Sequence, residues 1–96
     1  MTIDIKKNVE ETILEITGRL DTITAPALDK TINENLGECK SLIFDLKNLE
    51  YISSAGLRVL LATHKKMKGA LKLKNVQESV MEVFEITGFA DILVIE

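Results

Sequence analysis

Two adjacent serines, Ser53 and Ser54, are the residues of this chain whose position most suggests chemistry. They follow an apolar segment and a short polar loop. The segment after them has core-facing side chains at intervals of three and four residues, which predicts an amphipathic helix. Serine is a favoured N-cap, because its hydroxyl accepts a hydrogen bond from a first-turn N–H. The partial positive charge at a helix N-terminus also holds anions, including phosphate. On the residues alone, a plain cap is the commoner role, and a phosphorylated switch is the alternative. The predicted inward positions are Leu57, Leu60, Leu61 and His64.

A hydrolytic role for these serines is disfavoured by what surrounds them. A nucleophilic serine needs a base within hydrogen-bond reach, but the single histidine, His64, lies ten residues after Ser54 on the same predicted helix. That separation is about 15 Å at 1.5 Å per residue. The Gly-x-Ser-x-Gly elbow is absent, since Ile52 occupies the first glycine position, and no Walker-type phosphate loop occurs. The sequence therefore predicts a protein that is not an enzyme.

Length, charge and cysteine content restrict the class of protein further. Ninety-six residues make one domain over 1–96, and a net charge of −3 argues against nucleic-acid binding. No apolar run approaches the roughly 18 residues that cross a bilayer, and the N-terminus lacks a signal-peptide core. We therefore expect a cytoplasmic protein without membrane insertion. The single cysteine, Cys39, excludes a disulfide within the chain and a cysteine metal cluster, so no metal or cofactor is expected.

Hydrophobic periodicity predicts the element order ββαβαβαβ. Strands separated by helices should be parallel, and the first two strands form an antiparallel hairpin. The expected fold is a single α/β domain with a mixed sheet of four to five strands and helices mainly on one side. The predicted strands cover 3–7, 12–17 (ended by Gly18), 41–46, 70–74 and 91–95. The first predicted helix begins at 24–26 and ends at Gly37, and the second covers 55–68. The third begins with a capping box at 75–78 and ends at Gly88. Its predicted inward positions are Val80, Val83, Phe84 and Thr87.

This topology brings two loops together. Sites in open α/β sheets form beyond the carboxyl ends of parallel strands, and the predicted loops at 18–23 and 47–54 both leave such ends. We therefore expect Asp21 to lie on the same rim of the molecule as Ser53 and Ser54. On the residues alone, Asp21 is more commonly a carboxylate that orders its loop than a catalytic one.

Four motifs in order resemble the STAS family, named for sulphate transporters and anti-sigma factor antagonists. The likeness covers nearly the whole chain and is nearest to the small bacterial anti-sigma factor antagonists. The motifs are Gly-Arg-Leu-Asp at 18–21, Leu-Ile-Phe-Asp-Leu at 42–46, Tyr-Ile-Ser-Ser-Ala-Gly-Leu at 51–57 and Ile-Thr-Gly-Phe at 86–89.

The resemblance implies a partner-switching function. In the family, the unphosphorylated antagonist binds a cognate serine kinase that is itself the anti-sigma factor, and phosphorylation switches the antagonist off. A PP2C-type phosphatase restores it. By resemblance, Ser54 is the phosphoacceptor, with Ser53 as second choice, and phosphate at this cap position leaves the fold intact. The implied partner-binding residues are Asp21, Ser53, Gly56 (where a missing Cβ admits the partner backbone), Leu57 and Arg58.

Two departures from the family pattern concern kinase recognition and the partner surface. Ser53 stands where family members often have aspartate, and the sequence stops at Glu96, where members commonly continue with a further helix. The alternative is a phosphorylation-independent STAS docking subunit of a transporter or sensory complex.

Overall fold

A computed structural model describes residues 1–8, 10–35 and 40–96. The predicted helix stop at Gly37 and the position of Cys39 lie outside these residues. The elements are β1 (Thr2–Lys7), β2 (Glu11–Leu20), α1 (Ala25–Asn35), β3 (Ser41–Ile52), α2 (Ser54–Lys66), β4 (Leu71–Lys74), α3 (Glu78–Thr87), a short 3₁₀ turn (Phe89–Asp91) and β5 (Val94–Ile95).

The five strands form one mixed sheet in the order in which they occur along the chain, β1-β2-β3-β4-β5. β1 is antiparallel to β2, and the remaining neighbours are parallel. Because each parallel crossover is right-handed and proceeds in the same direction across the sheet, all three helices fall on the same face. The predicted mixed α/β sheet is confirmed, with five strands.

The core lies between this face of the sheet and the helices. Leu14 of β2 pairs in register with Phe44 of β3, and both are fully buried. Leu28 of α1, Leu60 of α2 and Phe84 of α3 belong to the same buried cluster. One apolar stripe from each helix therefore closes over a single sheet face, which confirms the predicted one-sided arrangement.

The opposite sheet face carries charged side chains. Lys6 on β1 forms an ion pair of 2.6 Å with Glu15 on β2, and this carboxylate raises the pKa of the lysine. At the other edge, Lys72 and Lys74 of β4 lie 3.5 and 3.6 Å from the Glu96 carboxylate. Such exposed pairs contribute little to stability. This face also holds Ile43, which is buried, so its exposed charges surround an apolar residue.

β2 and β3 are longer than predicted. Gly18 does not end β2; it adopts φ +102° inside the strand, and the pairing with β3 shifts register on both sides of residues 17 and 18. A bulge of this kind absorbs extra residues of one strand, so that pairing continues beyond it. The predicted loop over 47–54 is therefore mostly strand, and pairing extends to Leu20 and Ile52.

The third helix does not begin with the predicted capping box. Asn75 has φ +57°, and its side-chain amide donates to Asp45 Oδ1 at 3.1 Å, so its side chain is committed to Asp45 within β3. Gln77 is the N-cap residue and makes no side-chain capping bond. At the other end Thr87, predicted inward, is exposed.

Two further boundaries differ from the predictions. α2 ends at Lys66, since Lys68 and Gly69 both adopt positive φ and turn the chain towards β4. The segment predicted as a strand at 91–95 begins in the 3₁₀ turn, and only Val94–Ile95 is paired. No helix of the described ranges combines the length and apolarity that a membrane span requires.

Candidate functional site

The carboxyl ends of β2 and β3 are joined at the rim where the site was predicted. Leu20 and Ile52 are register partners, and the Ser53 N–H donates to the Leu20 carbonyl oxygen at 2.8 Å. Asp21 and Ser53 directly follow these paired residues. The structure therefore places Asp21 on the same rim as the two serines, as the topology predicted.

The two serines occupy different positions in α2. Ser53 is the N-cap residue, with extended backbone angles, and its hydroxyl accepts a hydrogen bond from the Gly56 N–H at 3.4 Å. Ser54 is the first residue of the helix and is exposed, and its hydroxyl has no hydrogen-bond partner among residues 1–8, 10–35 and 40–96. The expectation that Ser54 itself caps the helix is wrong, because the helix begins one residue earlier than predicted.

The surroundings of Ser54 favour an anion. The first turn of α2 contains no acidic residue, so nothing on the helix offsets the partial positive charge of its N-terminus. Arg58 lies four residues further on, which places it on the same side of the helix as Ser54, and it is exposed. A phosphate on Ser54 would therefore lie in a locally positive environment.

Asp21 organises the turn between β2 and α1. Its Oδ1 accepts hydrogen bonds from the backbone N–H groups of Ile23 and Thr24, both at 3.0 Å. In return, the Asp21 N–H donates to Thr24 Oγ1 at 2.9 Å. This reciprocal arrangement is similar to a capping box, and it satisfies three N–H groups near the start of a helix.

These contacts determine the charge state of Asp21. The hydrogen bond from the Thr24 N–H is the largest cause that lowers the pKa of the carboxyl below its ordinary value of 3.8, and the Thr24 hydroxyl, the Ile23 N–H and the positive charge of Arg19 act in the same direction. Desolvation acts in the opposite direction and is outweighed. Asp21 is therefore ionised at neutral pH and places a fixed negative charge on the rim.

Gly56 and Leu57 do not lie on the surface as the resemblance implied. Gly56 is buried, and a Cβ at this position would lie 2.7 Å from Leu20 Cγ and 2.9 Å from Ile52 Cγ1. The missing side chain thus lets α2 approach the ends of β2 and β3. Leu57 is only 6% exposed and joins the core. Both residues therefore pack within the fold, and their assignment to partner binding stays a prediction.

Residues 2–96 match the family model described as the STAS domain, a match that spans the core, both bulged strands and the whole rim. The chain belongs to the STAS domain family.

Curated relatives of this STAS domain carry regulatory names. The anti-sigma-B factor antagonist of Bacillus subtilis strain 168 is 34% identical over 96 residues, covering 97% of this chain and 88% of that protein. The anti-sigma-F factor antagonist RsfB of Mycobacterium tuberculosis strain H37Rv is 33% identical over 73 residues, covering 75% of this chain and 60% of that protein.

Solved structures share the fold. The anti-sigma factor antagonist SpoIIAA in its unphosphorylated form superimposes with a TM-score of 0.83 at 16% identity, covering 99% of this chain and 88% of that one. The phosphorylated form of SpoIIAA from Bacillus gives a TM-score of 0.75 at 16% identity, covering 99% and 91%.

Three features of this STAS rim were missed by sequence reasoning. Thr24 was assigned only to the start of α1, although an aspartate or a hydroxyl residue next to a helix start commonly hydrogen-bonds nearby backbone groups. The Arg19 guanidinium stacks over the Tyr51 ring, 4.2 Å from its centroid, and this contact depends on the bulged register that pairs the two residues. Ile23 projects from the turn with 86% of its surface exposed.

No three His, Cys, Asp or Glu side chains are arranged as a metal-binding group in the part of the STAS domain that the structure describes. The chemical groups gathered at the rim are one free hydroxyl, one fixed carboxylate and the positive end of a helix. Together these groups are suited to accepting a phosphoryl group and to contact with another protein.

Proposed function

We propose that this STAS-domain protein is an anti-sigma factor antagonist whose partner binding is controlled by phosphorylation of Ser54. The observation that carries the proposal is the exposed, unpartnered Ser54 hydroxyl at the first residue of α2, beside a Ser53 that already caps the helix. The names of the curated relatives support the same class of function.

In the proposed cycle, the partner is a serine kinase that is also the anti-sigma factor and that supplies ATP and Mg²⁺. The Ser54 hydroxyl oxygen attacks the γ-phosphorus, its proton passes to a base on the kinase, and ADP leaves. Hydrolysis of the phosphoserine by a PP2C-type phosphatase releases inorganic phosphate and regenerates the hydroxyl. The antagonist itself contributes only the acceptor and the surface, and it acts in the cytoplasm together with the sigma factor.

The geometry explains how one phosphate could prevent docking without unfolding the antagonist. A phosphoserine adds about −1.5 to −2 charges at pH 7, which the N-terminus of α2 and Arg58 tolerate. Docking would bury this dianion on the rim that already holds ionised Asp21. The desolvation cost and the like-charge repulsion oppose the complex, whereas the free protein keeps its fold.

Incubation with the anti-sigma factor kinase of the same genome, ATP and Mg²⁺, followed by intact mass measurement, tests the proposal. We expect one phosphate on the parent and on Ser53→Ala, and none on Ser54→Ala. Loss of the phosphate in Ser53→Ala alone would move the acceptor by one residue. Tight binding of the kinase without phosphate transfer would instead support the alternative, a docking subunit without a phosphorylation cycle.

A further inference from the structure

Ile23 is the most exposed large apolar residue of the described chain, at 86% of its surface. Burial of an isoleucine side chain is worth about 1.5–3 kcal/mol, and the fold leaves this gain unused. A single exposed apolar residue is ordinary on a protein surface, so its exposure alone carries no argument. A role for Ile23 is instead supported by the backbone turn that holds it.

The turn that presents Ile23 is ordered from both sides. The Ile23 N–H donates to Asp21 Oδ1 at 3.0 Å, and Thr24, the next residue, is fixed by three contacts with Asp21. The Thr24 hydroxyl also lies 2.9 Å from the Arg19 carbonyl oxygen. A residue on a preordered turn loses little conformational entropy when a partner covers it, so most of its burial energy becomes binding energy.

The position of this turn connects it to Ser54. Leu20 hydrogen-bonds Ser53 through the backbone, so the turn at 21–24 and the start of α2 leave the sheet side by side. A stable protein interface covers about 800 Å² on each partner, which is more than a single serine offers. We therefore expect a partner whose active site reaches Ser54 to extend over the neighbouring turn at 21–24.

We propose that Ile23 is the apolar anchor of the antagonist and enters an apolar pocket of the anti-sigma factor, an inference that rests on the proposed function. Asp21 then acts mainly as a positioning residue, since its Oδ1 is committed to the turn that presents Ile23. Binding energy concentrates in a few well-buried side chains near the centre of an interface, and Ile23 has both the exposure and the rigid support for that role.

Ile86 provides a matched control. It is 85% exposed and lies in the last turn of α3. A crossover helix starts at the carboxyl edge of a parallel sheet and ends at the opposite edge, so Ile86 lies away from the rim. Ile23→Ala and Ile86→Ala remove the same atoms from equally exposed sites. We expect the melting temperatures of both variants to equal that of the parent.

Calorimetric titration of the unphosphorylated parent and both variants against the anti-sigma factor kinase tests the inference. We expect Ile23→Ala to weaken binding about tenfold to thirtyfold, Ile23→Val to retain most of the affinity, and Ile86→Ala to stay within about twofold of the parent. Parent-like affinity of Ile23→Ala, or an equal loss in Ile86→Ala, would overturn the anchor and leave the proposed function standing. Failure of the parent itself to bind would overturn the proposed function.

Discussion

The Ser53 N–H donates a hydrogen bond of 2.8 Å to the Leu20 carbonyl oxygen, and this single bond joins the end of β2 to the start of α2. Leu20 immediately precedes Asp21, and Ser53 immediately precedes the proposed acceptor Ser54. A backbone bond cannot be removed by most substitutions, so the spacing between the carboxylate turn and the acceptor serine is fixed by the sheet itself.

We expect Ser54→Asp to weaken binding of the anti-sigma factor kinase while leaving the melting temperature close to that of the parent. The negative charge on the rim opposes docking beside Asp21, whereas a carboxylate in the first turn of α2 suits the helix. Ser54→Ala should bind like the unphosphorylated parent. Titration calorimetry with thermal melts measures both quantities, and equal affinities for Asp, Ala and parent would contradict control by charge at this position.

Ser53→Ala should lower the free energy of unfolding by about 0.5–2 kcal/mol, the usual cost of losing an N-cap side chain. The 3.4 Å contact with the Gly56 N–H is long, which favours the lower half of that range. Urea unfolding gives the measurement. Ser54→Ala is the matched control, expected within about 0.5 kcal/mol of the parent because that hydroxyl caps nothing. A larger loss in Ser54→Ala than in Ser53→Ala would reverse the assignment of the cap.

Gly56→Ala should destabilise the fold by about 1–3 kcal/mol, because the added methyl group would lie 2.7 Å from Leu20 Cγ inside a packed core. Combining it with Leu20→Ala, which removes Leu20 Cγ and both of its Cδ atoms, should cost less than the sum of the two single changes. Denaturant unfolding of the four proteins in this cycle measures the coupling. Strict additivity would show that the two residues do not compete for the same space.

Asp21→Asn should reduce thermal stability at neutral pH and have no effect in strong acid. The folded-state pKa of Asp21 is lower than its ordinary value of 3.8, so ionisation stabilises the fold above that value, and the contribution disappears as the pH falls through the folded pKa. Melting temperatures of parent and variant should therefore differ most near neutral pH and converge as the pH falls below the folded-state pKa of Asp21. Asp4→Asn, a change of the same net charge on an exposed strand, controls for global charge.

The element order and the one-sided sheet could be predicted because they depend on local pattern and on handedness rules. Apolar spacing such as Leu28 and Ile32 identified α1, and the right-handed crossover rule placed the helices. The lengths of β2 and β3 could not be predicted. They depend on two register shifts, one on each side of Thr17 and Gly18, beyond which the two strands continue to pair, and a glycine in a sequence is as consistent with a strand end as with a bulge.

The sequence predicted which residues lie on the rim, but it did not predict which serine caps the helix or that Gly56 packs inward. Topology brought Asp21 to the serines, but two adjacent serines are equally good caps by type, so Ser53 and Ser54 could be distinguished only once the start of the helix was known. Gly56 was assigned to partner binding because a residue without Cβ admits a partner backbone. Its inward packing depends on Leu20, which lies 36 residues earlier in the sequence.

The strand order has a consequence for how the chain assembles. Because each strand pairs with its immediate predecessor in the sequence, no strand must wait for a distant segment before it can dock. The sheet can grow by simple addition as the polypeptide emerges from the ribosome, first as the β1–β2 hairpin and then one crossover at a time. Such nearest-neighbour growth keeps loop-closure costs low. It also leaves the rim incomplete until β3 and α2 are added, so we expect an unfinished chain to lack the surface that the proposed partner binds.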